Sequence, residues 1–135
     1  MIAVDTSAIV AIILNEPERA TFRNVLQGAA RALISTVSVV EAKMVVYGRR
    51  GRRAVVFVDD LFRLPIFYMT SPGAADMDAA YAAYVAFGRG SGHPAALNFG
   101  DVFSYALAKV RNLPLLFKGN DFAETDIQPA VTQLA

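Results

Sequence analysis

The sequence predicts an α/β fold built on a mainly parallel sheet. Short apolar runs recur at Ile2 to Val4, Ala32 to Ile34, Ile66 to Met69 and Leu115 to Phe117, each bounded by turn or cap residues. The stretches between them carry apolar residues at helical spacing, so the order reads β, α, α, β, α, α, β, α, α, β.

Thr6 or Ser7 is placed to cap a first helix ending near Asn15, and Pro17 opens a second in which Ala20, Phe22, Val25 and Leu26 lead to Gly28. After the second strand a helix is expected from about Ser38 to Gly48. Another follows, with Ala54, Val58, Leu61 and Phe62 as its apolar stripe and Pro65 beyond its end. Past Pro72, the residues Met77, Tyr81, Tyr84 and Phe87 or Gly88 mark one face of a helix that stops in Gly88-Arg89-Gly90-Ser91-Gly92. That spacing reads most simply as core packing for Tyr81 and Tyr84. Asn98 caps the next helix, whose Val102, Phe103, Ala106, Leu107 and Val110 run to the turn at Asn112-Leu113-Pro114. A short last strand falls at Ile127 to Val131, interrupted by Pro129.

At 135 residues the chain has the length of one domain. With 55% hydrophobic and 19% charged residues it is not a disordered chain, and the apolar surplus points to surface covered by another chain. A net charge of +1 speaks against nucleic-acid binding through global charge. The segment Arg49-Arg50-Gly51-Arg52-Arg53, however, gathers four of the 13 basic residues, so any polyanion contact is local. The absence of Cys excludes disulfides and suits a reducing compartment. A strand begins at once, with no basic leader, and the apolar run from Ala8 to Leu14 is too short to cross a bilayer. A soluble cytoplasmic protein is expected.

Three acids stand inside stretches that otherwise read as buried core: Asp5 after the first strand, Glu41 in the first turn of the helix after the second, and Asp101 at the start of the helix capped by Asn98. Desolvating a carboxylate is costly unless a cation or strong donors compensate. Asp121 follows the fourth strand by four residues. In open parallel sheets the carboxyl ends of the strands line one crevice, where residues distant in sequence converge. Clustered carboxylates raise one another's pKa unless a divalent cation holds them ionised. With one His and no Cys, an oxygen-only cluster suits Mg²⁺ or Mn²⁺ rather than zinc.

Each acid also has a structural reading. Ser38-Val39-Val40-Glu41 matches a capping box, Asn98 to Asp101 has the same spacing, and Asp5 is itself a possible cap. The joint placement after successive strands favours the cluster. Asp59, Asp60, Asp76 and Asp78 occupy polar helix positions and read as solvated surface, as His93 does in its loop.

These motifs resemble the PIN-domain ribonucleases, and within them the VapC toxins of type II toxin–antitoxin modules. The resemblance rests on Val4-Asp5-Thr6-Ser7-Ala8, Ser38-Val39-Val40-Glu41, the block Leu97 to Ala108 containing Asn98-Phe99-Gly100-Asp101, and Leu115 to Phe122 containing Lys118-Gly119-Asn120-Asp121; it covers essentially the whole chain. It implies a single PIN domain over residues 1–135, a three-layer α/β/α sandwich with a central five-stranded sheet, and a homodimer. It also implies Mg²⁺ or Mn²⁺ held chiefly by Asp5 and Asp101, with Glu41 and Asp121 completing the set and Thr6 or Ser7 supporting it. Asp126 competes with Asp121 for the fourth place, and Asp121 is preferred. The implied activity is endonucleolytic hydrolysis of RNA, such as tRNA, silenced by a VapB-type antitoxin, with Arg49, Arg50, Arg52 and Arg53 as candidate RNA contacts.

Rival readings are a PIN-fold RNA-processing nuclease outside a toxin module, a metal-dependent phosphatase, and a non-enzymatic binding module. A phosphatase of the haloacid dehalogenase type expects a second Asp where Ser7 stands. A receiver domain expects an acceptor Asp after the third strand, where Tyr68-Met69-Thr70 stands.

Overall fold

The computed structural model describes residues 1–131. Strands β1 (Ile2–Val4), β2 (Ala32–Ser35), β3 (Phe67–Thr70) and β4 (Leu115–Leu116) form a parallel sheet in the order β3-β2-β1-β4. Helices α1 (Thr6–Ile13), α2 (Arg19–Gly28), α3 (Thr36–Arg50), α4 (Arg52–Phe62), α5 (Ala74–Phe87) and α6 (Phe99–Arg111) connect them.

Alternation along the strands sorts the core into two layers. Ile2, Val4, Ala32, Ile34 and Leu116 face a cluster built with α1 to α4, whereas Ala3, Leu33 and Leu115 face one built with α5 and α6. Helix α1 is apolar nearly all round because it is covered nearly all round: Ala8, Ile9 and Ala11 are fully buried. The expected α/β/α sandwich is therefore present, with four strands rather than five. The segment expected as a fifth strand touches β4 only through a parallel bridge, in which Leu115 donates to Gln128 and accepts from Ala130. Pro129, between them, has no N–H with which to continue a ladder.

Three further expectations are corrected. Helix α3 begins at Thr36, because Ser35 and not Ser38 is its cap: the Ser35 hydroxyl accepts from Val37 N at 3.2 Å. Glu41 consequently lies in the second turn and is released from the capping box assigned to it. Asp76 is buried, not solvated. It accepts from Gly73 N at the start of α5 and pairs with Arg111 of α6 at 2.6 Å, which holds its carboxyl below the usual range. Finally, α5 packs on α6 through Ala80 and Ala83, while Met77, Tyr81 and Tyr84 point outward, Tyr81 being 73% exposed. Small residues bring the two helices close, and the aromatic stripe is surface. No helix among the described residues is long and apolar enough to cross a membrane.

Candidate acidic metal centre

Asp5 leaves the carboxyl end of β1 in an extended conformation and caps α1, its Oδ2 accepting from Ser7 N at 3.0 Å and from Ser7 Oγ at 2.6 Å. The Ser7 hydroxyl also accepts from Lys118 N at 2.9 Å, so the end of β4 is tied to the same carboxylate. This is the crevice between β1 and β4, where the sheet order reverses, the usual ligand-binding edge of such sheets. Asp5 is only 3% exposed.

Asp101 stands in the first turn of α6. Its carboxylate accepts from Asn98 N at 3.0 Å while Asn98 Oδ1 accepts from Asp101 N at 2.9 Å, a complete capping box. Glu41 reaches the same place from α3. A methyl group added at Gly100 would fall 2.7 Å from Glu41 Cδ and closer still to one of its oxygens. Glycine at this position is thus what lets the Glu41 carboxylate lie against the start of α6. Asp121 is exposed, just ahead of a 3-10 turn at Phe122–Glu124.

The Asp101 carboxyl records this convergence. Its pKa is raised to about 6, first by burial and then by the charges of Asp5, Glu41 and Asp121, against the lowering bond from Asn98 N. All four acids singled out in the sequence therefore act on one point. Asp126 does not belong to this group: it accepts from Tyr105 OH and Lys109 Nζ, both at 2.6 Å, and Lys109 first, then Tyr105, lowers its carboxyl.

Two supporting residues escape the sequence reading of the site. Ser38 and Ser104, both fully buried, share a hydrogen bond of 3.1 Å, and Ser104 Oγ donates to Asp5 Oδ1 at 2.5 Å. The available signal is a serine in the otherwise apolar run Val102-Phe103-Ser104-Tyr105-Ala106, one turn after Asp101. Thr6, expected as a support, donates to the Ser38 carbonyl at 3.1 Å and so braces α3 rather than the acids directly.

The donor set suits a hard divalent cation, since every candidate ligand is a carboxylate oxygen. The negative charges of Asp5, Glu41 and Asp121, which with burial raise the Asp101 carboxyl to about 6, are also an excess that such a cation would relieve. Among the described residues no three of the acids stand close enough to form a ready-made cage. Mg²⁺ commonly binds through one or two carboxylates with the remaining places taken by water and substrate phosphate, so a pair such as Asp5 and Asp101 could anchor one. Arg49, Arg50, Arg52 and Arg53 sit elsewhere, exposed or nearly so around Gly51 at the α3–α4 junction, and among the described residues none is in an ion pair.

Comparison with known proteins identifies the family and the fold. Residues 2–128 match the family model described as PIN domain. The chain is 43% identical over 128 residues to ribonuclease VapC28 of Mycobacterium tuberculosis, covering 95% of this chain and 96% of that one. It is 44% identical over 132 residues to ribonuclease VapC42 of the same organism, with 96% and 98% covered. Among solved structures it resembles Mycobacterium tuberculosis VapC20, a sarcin-ricin loop cleaving toxin, with a TM-score of 0.78 at 18% identity over 94% of this chain and 96% of that one. VapBC2 of Rickettsia felis, bound to a DNA fragment from its promoter, matches with a TM-score of 0.75 at 17% identity, with 96% of each chain covered.

Proposed function

Since the chain belongs to the PIN-domain family, and within it to the VapC ribonucleases, we propose that it is the toxin of a type II toxin–antitoxin pair, an endoribonuclease dependent on Mg²⁺ or Mn²⁺. The observation that carries this reading is the gathering of Asp5, Asp101 and Glu41 at the carboxyl edge of the sheet, in a chain whose residues 2–128 match the PIN domain.

Asp5 and Asp101 would hold the cation, with Glu41 and Asp121 adding negative charge around it. When bound, the cation supplies Lewis-acid activation of water and neutralises charge on the phosphodiester in an in-line displacement. The chain's own residues set the stage. Ser7 locks Asp5 against the end of β4, and the Asn98 capping box fixes Asp101. Asp101 would hold the cation in its ionised form, because a ligating carboxylate must be ionised. Hydrolysis by water leaves 5′-phosphate and 3′-hydroxyl ends and needs no 2′-hydroxyl nucleophile, so the distinction between RNA and DNA falls to recognition of that hydroxyl. The arginine cluster, about 12 Å along α3 from Glu41 at the helical rise, is the candidate contact for substrate phosphates.

Two partners follow from the same reading. The groove between α1, α2 and α4, lined by Ile12, Ile13, Leu26, Phe57 and Leu61 with Arg19 and Arg23 at its side, suits an antitoxin segment carrying apolar and acidic residues. The exposed apolar stripes Val40, Met44 and Tyr47 on α3 and Met77, Tyr81 and Val85 on α5 suit a second copy of the chain. Light scattering of the isolated protein gives a dimer mass on this account.

The test is cleavage of total RNA by the purified protein with Mg²⁺, Mn²⁺ or EDTA, alongside Asp5→Asn and Asp101→Asn. Cleavage is expected only with a cation, and each variant loses at least about 100-fold in rate. Cleavage that persists in EDTA, or that leaves 2′,3′-cyclic phosphates, refutes the mechanism.

A further inference from the structure

We propose that Ser104, backed by Ser38, is a positioning residue that turns the Asp5 carboxylate toward the cation; the inference rests on the reading of the acids as a cation site. A carboxylate offers about four acceptor positions, two on each oxygen. At Asp5 Oδ2 both are taken, by Ser7 N at 3.0 Å and Ser7 Oγ at 2.6 Å. At Oδ1 one is taken, by Ser104 Oγ at 2.5 Å. One position is left, so Oδ1 is the oxygen with which Asp5 would face a cation, and Ser104 decides where that lone pair points.

Ser104 has a single proton and gives it to Asp5. In the 3.1 Å pair between the two serine hydroxyls, Ser38 must therefore be the donor. Ser38 is fixed in turn, since its carbonyl accepts from Thr6 Oγ1 at 3.1 Å. The chain of contacts runs from α1 through α3 to α6 and ends on the carboxylate. Both serines are fully buried, so no solvent water replaces a missing hydroxyl at little cost. A tie between α3 and α6 could be made by apolar contact alone. What the hydroxyl adds is a directed bond to a carboxylate oxygen, the role that partners of metal ligands play in orienting them.

The experiment is calorimetric titration of Mn²⁺ into the full-length protein at pH 8 for wild type, Ser104→Ala and Ser38→Ala, with circular dichroism and melting in EDTA as a measure of folding. Ser104→Ala is expected to bind Mn²⁺ about 10–100-fold more weakly, the usual cost of losing a ligand's hydrogen-bond partner. Ser38→Ala is expected to lose less, because the bond to Asp5 survives without its brace. A Ser104→Ala protein that melts earlier in EDTA yet binds Mn²⁺ like wild type overturns the proposal and leaves a structural role. Should Ser104→Ala not fold, Ser38→Ala decides by the same criterion: weakened binding supports the proposal and unchanged binding overturns it. Wild-type protein that takes up no Mn²⁺ refutes the cation site itself, and this inference with it, whereas a defect confined to the serine variants leaves the site standing.

Discussion

Asp101→Asn is expected to make the metal-free protein more stable while abolishing cation binding. Raising a buried carboxyl from 3.8 to about 6 means that its ionised form is disfavoured in the fold by up to about 3 kcal/mol, at about 1.4 kcal/mol per pH unit. Partial exposure and solvent screening lower this to about 2 kcal/mol. Because the folded-state pKa is the higher one, the stability linked to protonation is complete below 3.8 and is lost as pH rises through about 6. At pH 8 in EDTA, wild type therefore bears the whole penalty. Asparagine removes it and keeps an oxygen for the bond from Asn98 N, giving back about 0.5–1 kcal/mol in weakened capping and helix-dipole interaction. The net gain is about 1 kcal/mol at pH 8. At pH 5 wild type has recovered part of its penalty by protonation and the variant nothing, so the gain shrinks to about zero. Urea unfolding of both proteins in EDTA at the two pH values measures this directly. A variant less stable than wild type by the same amount at both pH values refutes the claim that Asp101 is strained by its acidic neighbours, and reduces it to a helix cap.

Gly100→Ala should split stability from activity. Alanine gains up to about 1 kcal/mol of helix propensity, but its methyl takes the space of the flexible Glu41 carboxylate, so melting temperature is held or raised while RNA cleavage falls; undiminished cleavage places Glu41 outside the site. Asp76→Ala breaks the buried pair with Arg111 and the bond to Gly73 N at a cost of about 2–4 kcal/mol, read by urea unfolding, while cleavage by the folded protein is unchanged. The same pair loses its contribution as acid protonates Asp76 below the ordinary carboxylate range, since its folded pKa is lowered. Mn²⁺ affinity should fall by up to tenfold per pH unit below about 6, as protons compete for Asp101, and be flat above it; calorimetry that finds it flat down to pH 4.5 removes Asp101 from the ligand set.

The α/β alternation was legible because each strand is a closed apolar run and the helices between them carry caps that sequence alone displays. Misreadings arose where the deciding partner lies far along the chain. Asp76 looks like solvated helix surface until Arg111, 35 residues on, is brought beside it. The spacing of Met77, Tyr81 and Tyr84 identifies a helix face but not which face is covered, and Ala80 and Ala83, which allow α5 close to α6, carry little hydrophobic signal of their own. Ser38 and Glu41 imitate a capping box at the right spacing, while the cap is Ser35, whose backbone leaves the strand. The acids themselves were legible because a carboxylate in an apolar run is conspicuous. The serines that orient Asp5 were not, because a small hydroxyl fits a core as readily as it fits a site.

Capping and ligation are not alternatives at these positions. Asp5 closes the N-terminus of α1, Asp101 closes that of α6, and Glu41 lies against the first turn of α6 at Gly100. Three of the four carboxylates are thus set at the positive ends of helix dipoles, each worth up to about 1–2 kcal/mol to a nearby negative charge. That is how so much negative charge is gathered at one sheet edge in a folded chain before any cation arrives. The compensation is partial, since Asp101 still titrates near 6. Helix ends make the cluster possible, and the remaining imbalance is what would give a divalent cation its hold; on the proposed function, removing a cap should therefore weaken cation binding as well as the helix, because the same hydrogen bonds would serve both.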